Sequence, residues 1–306
     1  MTEVLPYDLM ENGDGIGLTT LPHSQRISVS ENRDLKEKTA NSVIPFLKWA
    51  GGKRWLVDKH SSLISPDHTR FIEPFLGSGA VFFKLQPESA ILCDKNESLI
   101  ETYDAIKNSW QKVESLLKSH HRKHSKEYYY AVRVKKLKSA ESRAAQFIYL
   151  NRTCWNGLYR VNLNGQFNVP IGTKTNVVLD TDNFENVAKL LQKCELIPGD
   201  FEIALNRATA GDFVFVDPPY TVKHNHNGFV KYNEHIFSWE DQIRLRDAVS
   251  AAVARGAKVL VTNAYHDSIR EIYDGVGELI ELSRSSVIAG KSEARGRYEE
   301  MVIKCY

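Results

Sequence analysis

The hydrophobic and polar positions of the chain follow two rhythms, one typical of strands and the other of helices. Short apolar runs, such as "AILC" and "FVFV", predict buried strands. Apolar side chains spaced three or four apart predict a helix, and they stand at Leu99, Tyr103, Ile106, Trp110, Val113 and Leu117. Such strands and helices alternate from about residue 43 onward. This order predicts an α/β core with a mostly parallel sheet flanked by helices.

One stretch, residues 101–199, departs from this alternation because it is mostly helical and basic. It also contains Asn164 and Gly165 between two strand-like runs, a pair that favours a hairpin turn whose two central positions need a positive φ. We therefore predict an inserted helical domain that carries a β-hairpin. On this interpretation, residues 41–100 and 200–306 form the core domain.

The two ends of the chain differ in composition and in the structure that they predict. Residues 1–40 are polar and rich in Gly, Ser and Asn, with seven acidic and four basic residues for a net −3, and they predict a tail or an irregular arm. The closing "SSVIAGKSEARGRYEEMVIKCY" predicts two strands around a basic loop. Ahead of it, Ser238 followed by Asp241 predicts a capping box at the start of a helix.

Charge is distributed unevenly, although the net charge is only +2. Residues 118–138 carry eight Lys or Arg and one Glu, for a net +7, and they include Lys135 and Lys136. This basic segment favours a surface that faces a polyanion such as DNA, although a solvated helix face gives the same pattern. On the first interpretation, Lys135 and Lys136 contact phosphates.

Several classes of protein are disfavoured by the composition. The four cysteines stand far apart without a CxxC pair, which fits neither a disulfide framework nor a zinc site. The sequence contains no apolar run of 18 residues, and its first residues lack the pattern of a signal peptide. We therefore expect a reduced, cytoplasmic protein without a membrane partner.

The segment "FIEPFLGSGAVFF" predicts a strand, a glycine turn and a helix, as in a Rossmann-like fold. Gly77 and Gly79 let the backbone turn tightly and let a ligand approach it. Asp94 ends the next strand, where a carboxylate can accept hydrogen bonds from both ribose hydroxyls of an adenosyl group. Phe82 stands where a dinucleotide fingerprint has its third glycine, so the pattern favours an adenosyl ligand without a pyrophosphate. A purely structural turn is the alternative.

A second glycine pair lies in "FLKWAGGKR". This segment does not match a phosphate-binding loop, because Arg54 follows the lysine and the first glycine of that motif is absent. Gly51 and Gly52 instead let backbone amides and Lys53 approach a ligand carboxylate. Trp49 either stacks on a ring or fills the core.

An acid, two prolines and a tyrosine follow the run "FVFV": Asp217, Pro218, Pro219 and Tyr220. Open α/β sheets bind ligands at the carboxyl ends of their strands, and the prolines lack an N–H that would compete for a carbonyl. Asp217 and one such carbonyl can accept the two N–H groups of an exocyclic amine, while the tyrosine stacks on its planar ring. Acceptors outside the ring plane localise the nitrogen lone pair, which makes direct attack on a sulfonium methyl feasible. The alternative is a simple turn.

Five segments in order resemble the motifs of the Dam-type DNA adenine-N6 methyltransferases, also called class D12 or the alpha group. They are "PFLKWAGGKR", "FIEPFLGSGAVFF", "ILCDKNESLI", "FIYLNRTCWNGLYRVNLNGQFNVPIG" and "FVFVDPPY", and the resemblance covers about residues 44–306. It implies methyl transfer from S-adenosylmethionine to adenine N6 in double-stranded DNA, without a metal. It also implies base flipping, because N6 must leave the base stack to react.

The resemblance implies roles for individual residues. Those that would contact S-adenosylmethionine or shape its pocket are Trp49, Lys53, Asp94 and Asp217. Those that would hold the target adenine are Asp217, Pro218 and Tyr220. Those that would contact DNA in the major groove from the hairpin are Asn156, Leu158, Arg160, Asn168 and Pro170. Arg160 fits the position that binds a guanine, since arginine matches guanine O6 and N7.

Two departures from the family pattern bear on the DNA site. Trp155 replaces a usual tyrosine, and Thr173 and Lys174 stand where the family has an arginine and an aromatic that inserts into the base stack. GATC is the common site of the family, and these departures leave open whether this chain shares it. The resemblance also allows a cognate restriction endonuclease as a partner and association with the nucleoid.

Other functions account for fewer of these features. A cytosine-N4 methyltransferase uses the same slot, usually with serine in place of Asp217. Protein or RNA methyltransferases have no need of the hairpin and the basic insert, and a non-catalytic DNA-binding module has no need of the Asp-Pro-Pro-Tyr segment. A nuclease would need a carboxylate cluster that the sequence lacks. His224 and His226 suggest either a metal site, for which no further ligands stand nearby, or a loop over the active site.

Overall fold

The chain folds around one seven-stranded sheet. The computed structural model describes residues 43–64, 67–162, 164–222, 237–285 and 297–306. The strands are β1 (Arg70–Glu73), β2 (Ala90–Asp94), β3 (Cys194–Pro198), β4 (Asp212–Val216), β5 (Lys258–Ala264), β6 (Glu278–Ser285) and β7 (Arg297–Cys305). Their order across the sheet is β3-β2-β1-β4-β5-β7-β6. β7 runs antiparallel to both of its neighbours, whereas the strands from β3 to β5 pair in parallel.

Helices cover both faces of this sheet. They are α1 (Arg54–Lys59), α2 (Ala80–Leu85), α3 (Glu97–Lys123), α4 (Lys126–Val134), α5 (Ala140–Thr153), α6 (Phe184–Leu191), α7 (Phe201–Leu205), α8 (Trp239–Ala254) and α9 (Asp267–Tyr273). Alternate strand residues divide into two hydrophobic clusters, one shared with α1 to α6 and the other with α7 to α9. The predicted α/β class, with a mostly parallel sheet flanked by helices, is therefore confirmed.

The basic segment comprises the end of α3, all of α4 and the connection that follows it. α3 ends at Lys123, and α4 begins after Ser125, whose hydroxyl accepts the Tyr128 N–H at 3.1 Å as an N-cap. Lys135 and Lys136 are exposed in the connection from α4 to α5. The division of the chain into residues 41–100 and 200–306 against residues 101–199 stays a prediction.

The hairpin has a longer loop than Asn164 and Gly165 alone predict. The Asn162 N–H donates to the Gln166 carbonyl and the Gly165 N–H to the Asn162 carbonyl, both at 2.9 Å, so the hairpin closes at the pair Asn162 and Gln166. The prediction of a two-residue turn is wrong because the Asn162 side chain accepts the N–H groups of Asn164 and Gln166 at 3.0 and 2.9 Å, which closes a wider turn. Gly165 has φ +71°, as in a three-residue loop that ends in a left-handed residue.

Other local predictions have mixed outcomes. The capping box at α8 is confirmed, since Ser238 Oγ accepts the Asp241 N–H at 3.1 Å and the carboxylate accepts the Ser238 N–H at 2.9 Å. The strand before β7 lies at Glu278–Ser285, ahead of the closing segment where it was predicted. The predictions for residues 1–40, His224 and His226 lie outside the described residues. In the part of the chain that is described, none of the helices is apolar enough over a sufficient length to cross a membrane.

Candidate active site

A row of polar side chains crosses one face of the sheet at its carboxyl edge. Its members are Asp94 at the end of β2, Glu73 at the end of β1, Asp217 directly after β4, Thr262 in β5 and Glu300 in β7. Each stands two positions from a residue of the first hydrophobic cluster: Leu92, Phe71, Phe215, Leu260 and Val302. Strand side chains two apart share a face, so the apolar pattern of each strand also directs its polar residue to this face. The row lies where open parallel sheets bind ligands.

Lys53 is the cation at the centre of this row. It precedes α1 directly, and its side chain is only 3% exposed. Its Nζ lies 2.9 Å from Asp217 Oδ1 and 3.5 Å from Glu300 Oε2, and it donates to the Gly51 carbonyl at 2.8 Å. A buried ammonium needs such partners because desolvation is costly. The carbonyl and the two carboxyls therefore fix its position.

Asp217 contacts both Lys53 and Thr262 through one carboxylate oxygen. The Thr262 hydroxyl donates to Asp217 Oδ1 at 2.7 Å, the same oxygen that faces Lys53. Desolvation raises the pKa of Asp217 above its ordinary value, while Lys53 and Thr262 oppose that shift. The side chain is 19% exposed. The carboxyl is thus fixed on one side and open on the other.

Hydrogen bonds to side chains of α8 and β7 fix Pro219 and Tyr220. Gln242 Nε2 donates to the Pro219 carbonyl at 3.3 Å, while Asn263 Nδ2 donates to Gln242 Oε1 at 3.1 Å. The Tyr220 hydroxyl donates to Glu300 Oε2 at 2.9 Å. Of the two proline carbonyls, Pro219 is thereby engaged, whereas among the described residues the Pro218 carbonyl has no donor. It is the carbonyl that a ligand amine can use.

The glycine turn lies on the other side of the row. Both oxygens of Asp94 accept backbone N–H groups, from Gly77 at 3.0 Å and from Asn96 at 2.9 Å. Burial raises the pKa of Asp94, and these two amides oppose the shift. Gly77 and Gly79 have φ of +48° and +65°, a region that favours glycine. Asp94 therefore fixes the turn and keeps lone pairs for a ligand.

Trp49 packs against this turn and against the hairpin. A Cβ on Gly77 would lie 2.8 Å from the indole Cδ1, so only glycine fits beneath the ring. The other neighbour is Tyr159, stacked on Trp49 at a centroid distance of 5.9 Å, and Phe147 stacks on Tyr159 at 4.7 Å. Trp49 is partly buried, and it joins the glycine turn to the hairpin.

Sequence reasoning missed Glu73, Thr262 and Glu300. Glu73 is 3% exposed, and burial raises its pKa well above the ordinary value. Its Oε2 atom accepts no hydrogen bond from the described residues. Glu73 ends an apolar run just as Asp94 and Asp217 do, so the same signal marks it in "FIEPF".

The hairpin residues form a second group. Arg160 is exposed, and its Nε donates to Asn168 Oδ1 at 2.8 Å. Asn156, with φ +54°, and Pro170 are exposed, whereas Leu158 is half-buried against the core. The structure thus brings Arg160 and Asn168 together, while Lys135 and Lys136 lie on the connection after α4.

Both departures from the family pattern line one surface hollow beside the hairpin. It has a volume of about 270 Å³, and its lining includes Trp155, Thr173 and Lys174. Trp155 is 52% exposed, which is unusual for so large an apolar side chain. The substitutions therefore change one continuous surface rather than two separate places.

The geometry of an α/β core with an Asp-Pro-Pro-Tyr segment at its carboxyl edge is consistent with a methyltransferase fold. The sequence model of one protein family, the D12 class N6 adenine-specific DNA methyltransferases, matches residues 49–287 of the chain. The chain belongs to this family. Its resemblance to the family, which the five sequence motifs indicated, is confirmed.

Named relatives agree with this assignment. A Type II methyltransferase, M1.LlaDCHI of Lactococcus lactis subsp. cremoris, is 36% identical over 89% of this chain and 99% of its own length. The Type II methyltransferase M.MjaIII of Methanocaldococcus jannaschii is 36% identical over 85% of this chain and 99% of its own. A DNA adenine methylase of Vibrio cholerae serotype O1 is 30% identical over 84% of this chain and 94% of its own.

The family implies S-adenosylmethionine as methyl donor, and the residues present fit that molecule. The unsatisfied Glu73 oxygen suits an ammonium group, and the exposed lone pairs of Asp94 suit ribose hydroxyls. The left-handed glycines and the close approach of Trp49 leave a narrow backbone cradle at Gly77. As for a metal, the described residues contain no group of three or more His, Cys, Asp or Glu arranged to hold one.

Proposed function

We propose that this enzyme methylates N6 of one adenine in a specific duplex DNA site, with the target base flipped into the polar row. The observation that carries the proposal is the position of Asp217. It is fixed by Lys53 and Thr262 and lies on the same face of the sheet as Asp94. Asp217, the proposed acceptor for the adenine amine, and Asp94, the proposed acceptor for ribose hydroxyls, therefore lie at the same edge of the sheet.

The proposed mechanism gives each residue one task. Bound S-adenosylmethionine supplies an electrophilic methyl group on a sulfonium. Asp217 accepts one N6–H and the Pro218 carbonyl accepts the other, which orients the nitrogen lone pair toward that methyl. As the N6–CH₃ bond forms and the S–CH₃ bond breaks to leave a neutral thioether, the Asp217 carboxylate stabilises the positive charge on N6, and the surplus N6 proton then passes to solvent. Tyr220 stacks on the flipped adenine, while Trp49, Lys53, Gly77 and Asp94 line the pocket of the methyl donor.

Nucleoside analysis tests the proposed reaction. The enzyme is incubated with labelled S-adenosylmethionine and unmethylated genomic DNA, and the DNA is then digested and modified bases are mapped. We expect N6-methyladenine at one short sequence, with GATC as the first candidate, and the same yield in EDTA. If the label is found only in N4-methylcytosine, or if EDTA abolishes transfer, the proposal is refuted.

Arg160 is proposed to bind a guanine of the site. It is exposed on the hairpin, and its bond to Asn168 orients the guanidinium. Arg160→Ala should weaken discrimination at one guanine position by about 1–3 kcal/mol, because a bidentate contact is lost. Methylation rates of duplexes that differ only at that base pair provide the measurement. Asn164→Ala, in the loop of the same hairpin, is the control. Equal discrimination by wild type and Arg160→Ala at every position would assign base recognition to other residues.

The basic segment is proposed to supply non-specific DNA affinity through Lys135 and Lys136. Each lysine that neutralises a phosphate contributes to the salt dependence of binding. Reversal of Lys135, Lys136 and Lys138 to glutamate should therefore flatten the plot of log Kd against log salt by up to about three ion equivalents. The same reversal of three exposed lysines elsewhere, Lys84, Lys189 and Lys193, is the control. An unchanged slope in the first variant would mean that these lysines face only solvent.

The biological setting forms a further part of the proposal. Two of the relatives are named Type II methyltransferases, which supports a cognate restriction endonuclease that acts on the same site. A DNA substrate also implies that the enzyme works at the nucleoid in the cytoplasm. A gene for an endonuclease beside that of the enzyme, with cleavage blocked by prior methylation, would establish the pairing.

A further inference from the structure

Glu300 is a buried carboxylate to which the proposed reaction assigns no direct role. It is 2% exposed in β7, opposite Ala264 of β5. Because β7 is antiparallel, the beginning of this strand lies at the carboxyl edge of β5, beside the proposed active site. A carboxylate in such a position is expensive to bury unless it is paired and hydrogen-bonded.

Its contacts join two parts of the proposed site. Glu300 Oε2 accepts the Tyr220 hydroxyl at 2.9 Å and lies 3.5 Å from Lys53 Nζ. The same ammonium lies 2.9 Å from Asp217 and 5.0 Å from the centre of the Tyr220 ring. One oxygen of Glu300 therefore contacts both the ring proposed to stack on adenine and the cation that faces Asp217.

We propose that Glu300 is a positioning residue that orients Tyr220 and divides the charge of Lys53 between two carboxylates. This inference rests on the proposed function, because it assumes that adenine binds between Asp217 and Tyr220. Fixing the Tyr220 hydroxyl holds the ring at one angle, so the flipped base meets Asp217 in a reactive orientation. Sharing Lys53 keeps Asp217 from being fully neutralised, so its carboxylate retains its strength as an acceptor for N6–H.

Glu300→Gln separates these roles from mere space filling, because it retains the shape and an acceptor oxygen but removes the charge. We expect kcat to fall about tenfold to a hundredfold, while KM for DNA and Kd for S-adenosylmethionine change less than about threefold. Glu299→Gln is the matched control, since Glu299 directly precedes Glu300 in the same strand and its carboxylate is exposed. It should retain wild-type kcat.

Three further variants show which contact of Glu300 produces the effect. Tyr220→Phe keeps the ring and removes the hydroxyl, and it should lower kcat in the same direction. In the double variant, the two losses should combine less than multiplicatively, because both act on the same contact, which Glu300→Gln weakens and Tyr220→Phe removes. Glu300→Asp, which restores the charge on a shorter side chain, should recover part of the lost kcat.

The outcomes distinguish this inference from the proposed function. If wild type transfers no methyl group to adenine, the proposed function fails. If wild type does so and the folded Glu300→Gln enzyme has the kcat of Glu299→Gln, the positioning role is overturned. Should Glu300→Gln not fold, Tyr220→Phe decides: a reduced kcat at unchanged Kd for S-adenosylmethionine supports the contact, and wild-type kcat refutes it.

Discussion

Asp217→Ala is expected to lower kcat for adenine methylation by about a thousandfold. The side chain is proposed to accept an N6–H and to stabilise the charge that develops on that nitrogen. Removing one preorganised electrostatic partner of a transition state costs about 10²–10³ in kcat in enzymes generally. Here Lys53 also loses its 2.9 Å partner and keeps only Glu300 at 3.5 Å, so its less compensated charge opposes a positive N6. Asp217→Asn, which keeps one acceptor oxygen, should lie between alanine and wild type.

Single-turnover methylation with saturating enzyme measures this effect apart from binding. Affinity for the duplex should stay within a few-fold of wild type, because phosphate contacts supply most of the affinity and lie elsewhere. Asp180→Ala, which removes an exposed carboxylate, is the control and should be fully active. An Asp217→Ala enzyme with near-normal turnover would contradict the assigned role and require another acceptor for N6–H.

The elements of the site that the sequence predicts share one local signal. Asp94 and Asp217 each follow an apolar run, and the carboxyl ends of parallel strands meet at one edge. The left-handed turns at Gly77 and Gly79 follow from the glycines themselves, since few other residues adopt that conformation. Lys53 was proposed as a ligand-binding residue, and the structure adds that it pairs with Asp217.

What the sequence does not predict depends on long-range topology. Glu300 lies in the first half of its strand, and its place at the carboxyl edge follows only once β7 is known to run antiparallel between β5 and β6. Thr262 stands inside an apolar run, where its hydroxyl gives no pattern of its own. The hairpin loop was located correctly but given the wrong length, because a side chain of Asn162 takes over hydrogen bonds that propensities ignore.

A buried ion pair links α5, the helix before the hairpin, to the segment just before α6. Arg152, at the end of α5, is 1% exposed and pairs through both terminal nitrogens with Asp182, each at 2.6 Å. It also donates to the Phe46 carbonyl at 3.2 and 2.9 Å and to the Val177 carbonyl at 2.7 Å. These contacts use all five N–H donors of the guanidinium.

Asp182→Ala is therefore expected to lower the free energy of unfolding by about 3–5 kcal/mol, since it leaves a buried cation without its counter-ion. Urea denaturation of wild type, of Asp182→Ala and of the exposed control Asp180→Ala measures the difference. A double variant, Arg152→Met with Asp182→Leu, removes both charges and should recover most of the loss, because the main penalty comes from one uncompensated charge. If Asp182→Ala were as stable as Asp180→Ala, the carbonyls of Phe46 and Val177 would suffice to compensate Arg152. If only the double variant were strongly destabilised, the pair would contribute mainly through its packing volume.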